Sequence, residues 1–250
     1  MANLDHLDEL PAPGEAALTG PVAHHLTRVL RVRPGDPVRL SDGRGRVAEA
    51  EVLRTDRAAL VLSVGQPRTQ PPVEPKVTLA FACPRQARAD WLIEHATEVG
   101  VAAFQPLWTA RSRPQSLRLD RWRKIARAAA GQCARAYEPK LLDAIELEPF
   151  LAGPLPTLRL IADAGAAGAP LQQEATDAVV LIGPEGGFTA AEKEQARASG
   201  FEPLHLGPHI LRTETAALLG AAHLLRGAGA PGSGATARRR RRHPRASCRG

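Results

Sequence analysis

The chain has 250 residues, with 33 Lys and Arg against 26 Asp and Glu, a formal net charge of +7 and a hydrophobic fraction of 44%. That is ample apolar material for the core of one or two domains, so wholesale disorder is excluded. No run nears the roughly 18 apolar residues of a membrane span, the opening MANLDHLDEL is acidic where a secretory signal is basic and then apolar, and Cys83, Cys133 and Cys248 form no C-x-x-C pair. The expectation is a cytoplasmic protein with no membrane segment, no disulfide framework and no metal.

Residues 18–64 alternate short apolar runs with turn signals at Pro34-Gly35-Asp36 and Asp42-Gly43, which predicts a small β-rich domain over 1–70. The Pro-rich stretch 65–75 reads as a linker. From Lys76 the composition changes. KVTLAFA (76–82) is a buried-strand candidate, and 87–99 is an amphipathic helix closed by Gly100, with Trp91, Leu92, Ala96 and Val99 on one side. Residues 101–107 form the next strand and 120–136 the next helix, with Asp120 as its N-cap. LRLIAD (158–163) and AVVLIG (178–183) are unbroken apolar strands of the kind a parallel sheet covered on both faces requires. Thr189 and Glu192 supply a capping box for the helix that Gly200 ends; a short strand FEPLHLG and a helix over 213–226 follow. Strands alternating with helices predict an α/β domain over 76–226. The tail 227–250 lacks apolar periodicity and is expected to be disordered.

Charge resolved along the chain changes the meaning of the total. Seven Arg and no acid lie in 227–250, so residues 1–226 hold 26 basic and 26 acidic groups. Within them, residues 85–140 carry 11 basic and 5 acidic groups, and residues 141–226 carry 5 and 11. A local basic segment inside a neutral fold is consistent with a docking face for a polyanion, or with a solvated helix face.

Two Gly-rich loops stand at the C-terminal ends of predicted strands, where open α/β sheets place ligands. The first, Ile182-Gly183-Pro184-Glu185-Gly186-Gly187-Phe188, is neither a G-x-G-x-x-G fingerprint nor a phosphate loop. Its three glycines let backbone approach a ligand closely. The second runs from Leu206 and Gly207 through Ile210, Leu211, Arg212, Thr213, Glu214 and Thr215 to Ala216. Thr213 or Thr215 serves as an N-cap and Glu214 as a first-turn acid. Arg212 is a cation at the helix end that disfavours cations, which asks for a facing anion.

These two loops resemble the signature of the bacterial 16S ribosomal RNA uridine N3-methyltransferases of the SPOUT superfamily. His24 to Arg31, Glu98 to Val101, Arg111-Ser112 and Gln132 to Arg135 match in order and spacing. The resemblance implies an α/β fold in which a PUA-like β-barrel precedes a parallel-sheet domain with a trefoil knot, a homodimer, and S-adenosyl-L-methionine held by the knotted loops. It implies methylation of N3 of one uridine, number 1498, in the 16S RNA of the small ribosomal subunit. The rivals are a SPOUT enzyme acting on another RNA such as transfer RNA, and a non-catalytic RNA-binding protein. The chain departs from the pattern in three places: it lacks the family's Arg- and Phe-rich opening strand, His95 stands where many members carry Lys, and the Arg-rich tail is extra.

N3 of uracil is mostly protonated at neutral pH, so the reaction needs a proton acceptor and stabilisation of the developing anion. Arg212 is assigned to that charge or to RNA, and Glu185 or Glu214 to the proton. The donor is expected on Ile182, Gly183, Pro184, Glu185, Gly187, Leu206, Gly207, Ile210, Leu211, Thr215 and Ala216. Phosphate contacts are assigned to Arg28, Arg31, Arg85, Arg111, Arg121 and Arg135. Of the tryptophans, Trp91 and Trp122 are expected in the core rather than on a stacking face.

Overall fold

Alternation of apolar and polar side chains builds the first sheet. A computed structural model describes residues 4–56, 59–112, 116–166 and 175–226; the Arg-rich segment expected to be disordered lies outside them. The first half comprises β1 (Leu4–His6), β2 (Gly14–Leu18), α1 (Gly20–His24), β3 (Pro37–Ser41), β4 (Arg46–Thr55), β5 (Leu60–Val64) and β6 (Arg68–Thr69). The strands form one sheet in the order β1-β3-β4-β5-β2, with β6 beside β4. Along β4, Val47, Ala48, Ala50 and Val52 are buried while Glu49, Glu51 and Leu53 face out. Pairing is antiparallel except for β1, which runs parallel to β3. The atypical N-terminus thus still supplies a strand.

Two local expectations need correction. The linker was expected to hold no strand, but Arg68 and Thr69 pair with Val47 and Arg46. Residues 20–29, expected to be part of a β-rich domain, instead form α1 and then a wider π-turn over His25–Val29, which buries Leu26 against Leu40, Leu60 and Leu62 and leaves Arg28 in solvent.

The second half comprises β7 (Lys76–Ala82), α2 (Gln86–Val99), β8 (Ala103–Trp108), α3 (Leu119–Gln132), β9 (Lys140–Leu141), β10 (Ile145–Glu146), α4 (Leu147–Ala152), β11 (Leu158–Ala162), β12 (Asp177–Ile182), α5 (Ala190–Ala198), β13 (Glu202–Leu204) and α6 (Thr213–Leu225). The sheet is parallel throughout, in the order β10-β8-β7-β12-β11-β13, with β9 beside β8. Its central strands are apolar on both faces because both are covered. Val77, Leu79, Phe81, Ala178, Val180 and Ile182 pack under α2, α3 and α6; Ala80, Val179 and Leu181 pack under α4 and α5. Helix α3 ends at Gln132, four residues short of the expected Ala136, and Asp120 lies in its first turn, Arg118 holding the N-cap position. The capping box at Thr189 and Glu192 forms as read.

Backbone joins the two halves. The Gly45 amide donates to the Ala136 carbonyl at 3.0 Å and the Glu138 amide to the Gly43 carbonyl at 2.9 Å. Arg127 donates to Asp8 Oδ1 at 2.8 Å and to the His6 carbonyl at 3.0 Å. Helix α3 lies so close to β1 that a Cβ on Gly131 would sit 2.7 Å from the Leu4 carbonyl oxygen. Gly to Ala inside a helix ordinarily gains about 1 kcal/mol. Here the clash is with backbone, so Gly131→Ala is expected to lower the melting temperature in a thermal scan rather than raise it.

Candidate functional site

Three strands end at one edge of the second sheet, and their loops close a single pocket. Its walls come from Ala162 to Ala164 after β11, Ile182 to Phe188 after β12, and Leu204 to Ala216 after β13. Of the residues on which the donor was expected, Ile182, Gly183, Pro184, Glu185, Gly187, Leu206, Gly207, Ile210, Leu211 and Ala216 line it. Thr215 does not; it faces a neighbouring cleft with Arg88, Trp91, Arg212 and Glu214. Successive residues of the helix start divide between the two, Leu211, Thr213 and Ala216 toward the pocket and Arg212, Glu214 and Thr215 toward the cleft.

Glycine is required at specific points. Gly187 has φ 68° and Gly207 φ 137°, conformations in which side chains are strained. At Gly183 a Cβ would come within 3.1 Å of the Phe188 ring. Thr213, considered as an N-cap, instead donates its hydroxyl to the Gly183 carbonyl at 3.1 Å and so ties the second loop to the first. Ile210 stands 91% exposed at the rim, an apolar side chain that a bound ligand would cover.

Arg88, which the sequence reading did not single out, joins the rims of pocket and cleft. Its guanidinium lies 3.2 Å from Glu185 Oε1 and 3.6 Å from Glu214 Oε1. Glu214 is 7% exposed, and its second oxygen, Oε2, is buried without a hydrogen-bond partner. Arg212 is exposed, and among the described residues its guanidinium has neither an ion pair nor a hydrogen bond. The only sequence signal for Arg88 was its place in the first turn after β7, one turn of chain from the sheet edge.

A second network braces the first loop from outside. Glu192 accepts from the Thr189 amide at 2.7 Å within the capping box, and its other oxygen accepts from the Ala110 amide at 2.7 Å. The next residue, Arg111, donates to the Gly186 carbonyl at 2.5 Å. Arg111 was expected on phosphate; the structure places it on the loop. Arg135 also departs from its expected role: it lies half-buried and donates to the carbonyls of Thr97 and Val101 at 2.5 and 3.0 Å, and burial lowers its pKa. Arg121 is exposed but paired with Asp90 at 2.8 Å. Arg28, Arg31 and Arg85 are exposed, and none has an ion pair among the described residues.

Trp122 is 2% exposed, as expected, and packs on Phe81. Trp91 is the correction: it is 40% exposed, with its ring stacked on His95 at 4.3 Å between centroids. The helical period placed it beside Leu92, but 91, 95 and 99 fall on a row that no helix among the described residues covers. Burial pushes the Cys83 thiol up to about 12, against a weaker opposing backbone contact at Leu107, so it is no nucleophile at neutral pH. Among the described residues no group of three His, Cys, Asp or Glu is placed to hold a metal, and no helix is long and apolar enough to cross a membrane.

Residues 71–225 match the family model of the RNA methyltransferase domain, and residues 18–64 that of the RNA methyltransferase PUA domain. A ribosomal RNA small subunit methyltransferase E of Mycobacterium bovis is 36% identical over 236 residues, covering 87% of this chain and 88% of that one. Its counterpart from Synechocystis is 37% identical over 212 residues, covering 80% and 69%. The crystal structure of the Neisseria gonorrhoeae methyltransferase E bound to S-adenosyl methionine superposes with a TM-score of 0.81 at 29% identity, covering 90% of this chain and 97% of that one. With the glycine loops, the parallel sheet and the N-terminal PUA-like domain all in place, the chain belongs to the RNA methyltransferase family that includes the ribosomal RNA small subunit methyltransferases E.

Proposed function

We propose that this protein transfers a methyl group from S-adenosylmethionine to N3 of a uridine, number 1498, in 16S ribosomal RNA, and acts in the cytoplasm on the small subunit or its RNA. The observation that carries the reading is the joining of both glycine loops into one pocket by the Thr213 hydroxyl and Gly183 carbonyl. Such a donor fits what is present. Ile182, Leu206 and Leu211 offer an apolar slot, the loop amides offer hydrogen bonds, and Ile210 stands ready to be covered. When bound, the donor supplies an electrophilic methyl on sulfur.

The chain's own residues supply the rest. The cleft beside the pocket holds the two groups that N3 chemistry needs. Glu214 Oε2, buried and unpartnered, is the proton acceptor; Arg88 holds the other carboxylate oxygen and so fixes its direction. Glu185, half-exposed and paired with the same Arg88, positions the loop instead. Arg212, without a side-chain partner among the described residues, stabilises the negative charge that develops on the uracil oxygens. Arg28, Arg31 and Arg85 hold phosphates of the RNA, with the PUA-like domain as part of the footprint. The chain leaves the sheet edge at β13 and returns across it to lay α6 on β7 and β12, which supports the closing pass of a trefoil knot.

A homodimer is part of the same proposal. Trp91, His95 and Val99 form one row on α2, and Leu219 stands exposed on α6, which packs beside it. An uncovered row on α2 beside an exposed leucine on α6 fits a second copy of the same face.

Three outcomes are expected. Incubation of unmodified small subunits with the protein and labelled S-adenosylmethionine, followed by nucleoside analysis, should yield 3-methyluridine; label on another base, or on transfer RNA only, contradicts the reading. Arg212→Ala should lower kcat by about a hundredfold or more, the scale for losing one charge-stabilising donor, while calorimetry finds the donor bound as before. Light scattering should give twice the chain mass, and Leu219→Glu should shift it toward the monomer.

A further inference from the structure

The polar lining of the pocket is mostly backbone, and among the described residues its charged side chains reduce to Asp163, Glu185 and Lys193. Glu185 is drawn outward to Arg88. Asp163 and Lys193 are different. Asp163 follows β11 and is nearly buried; its Oδ1 accepts from Lys193 Nζ at 2.7 Å and from the Gly165 amide at 3.1 Å. Among the described residues Oδ2 accepts no hydrogen bond. Lys193 reaches across from the first turn of α5, with one of its three N–H groups used. Burial alone would raise the carboxyl, but Lys193 and the Gly165 amide together hold it below the usual range, so Asp163 is ionised at neutral pH.

Glu185 and the loop amides do not distinguish one polar ligand group from another, but this pair does. A carboxylate already neutralised by an ammonium at 2.7 Å has little net field for a charged group. What it offers is a free acceptor oxygen beside free N–H donors. That combination suits a neutral group that both donates and accepts at two neighbouring positions. We propose that the Asp163 and Lys193 pair binds the vicinal ribose hydroxyls of the adenosyl ligand, one hydroxyl donating to Oδ2 and the other accepting from Nζ. The inference rests on the reading of this pocket as the donor site.

Calorimetry with S-adenosylhomocysteine and 5′-methylthioadenosine tests it. Both keep the ribose, and only the first keeps the amino-acid end. Asp163→Ala should weaken both by the same factor, about tenfold or more, as for loss of a hydrogen bond to a charged group. Lys193→Gln, which leaves the loop untouched, should weaken both in the same direction. The 2′,3′-dideoxy form of methylthioadenosine should bind the wild type weakly and lose nothing further in either variant. A loss confined to S-adenosylhomocysteine would place the pair on the amino-acid end and overturn the proposal, as would an equal loss with the dideoxy ligand or unchanged affinity in Lys193→Gln. Failure of the wild-type protein to bind either adenosyl ligand would overturn the donor reading along with it.

Discussion

How closely α6 lies on β12 decides the geometry of everything at that edge of the sheet. A Cβ at Gly220 would sit 2.9 Å from Val180 Cγ2, so only glycine lets the helix settle at this depth. Mid-helix glycine is unfavourable by propensity, and its presence here marks packing as the stronger demand. Once the helix axis is set, its start is set. Thr213 then reaches the Gly183 carbonyl, Glu214 comes beside Arg88, and Arg88 in turn meets Glu185. Two separate loops become one wall because the helix that follows the second is seated on the strand that precedes the first.

Charge distribution is the second organising fact, and the structure alters what the composition suggested. The basic segment 85–140 looked like a surface for a polyanion. Much of that charge is internal bracing: Arg88 holds two carboxylates, Arg111 a loop carbonyl, Arg121 Asp90, Arg123 Asp120, Arg127 Asp8 and Glu138, and Arg135 two carbonyls. Among the described residues of the segment, Arg85, Arg118, Lys124 and Lys140 carry no such pairing. Exposed pairs such as Arg123 with Asp120 contribute little to stability. Those that end on carbonyls or buried carboxylates fix positions, and a guanidinium is suited to this because its fork meets two acceptors at once. An RNA footprint is therefore read from the unpaired cations, fewer than the net charge implies.

What was legible in the sequence followed from period and punctuation. Unbroken apolar runs announced β7, β11 and β12, the Thr189 and Glu192 spacing announced α5, and the glycine loops announced the pocket, with only Thr215 facing elsewhere. Boundaries set by tertiary contacts were less legible. Nothing local says that α3 must stop at Gln132, where the chain turns through Ala134 at φ 58° and comes back to meet the first sheet through Ala136 and Glu138. Helical period cannot say whether the row at Trp91, His95 and Val99 is covered. Nor can it pair Arg88 with acids about a hundred residues away, or tell an arginine on a carbonyl from one awaiting phosphate. These depend on neighbours that only the fold supplies.

The division of labour between backbone and side chain follows from the same architecture. At the carboxyl edge of a parallel sheet, loops arrive side by side and their amides and carbonyls face a shared space, so most of the pocket's polarity comes with the topology. Backbone groups set shape but are the same whatever the sequence. Selection can act through side chains in two ways: by holding loops at the right height, as Glu192 does with the Thr189 and Ala110 amides, and by placing the few charges that face the ligand. The carboxylates near this site are accordingly each tied to a partner, Glu185 and Glu214 to Arg88, Asp163 to Lys193, and Glu192 to two amides. A carboxylate left loose beside a cationic methyl donor would attract it in many poses. One held by a cation or by backbone attracts it less and orients it more, and methyl transfer depends on orientation.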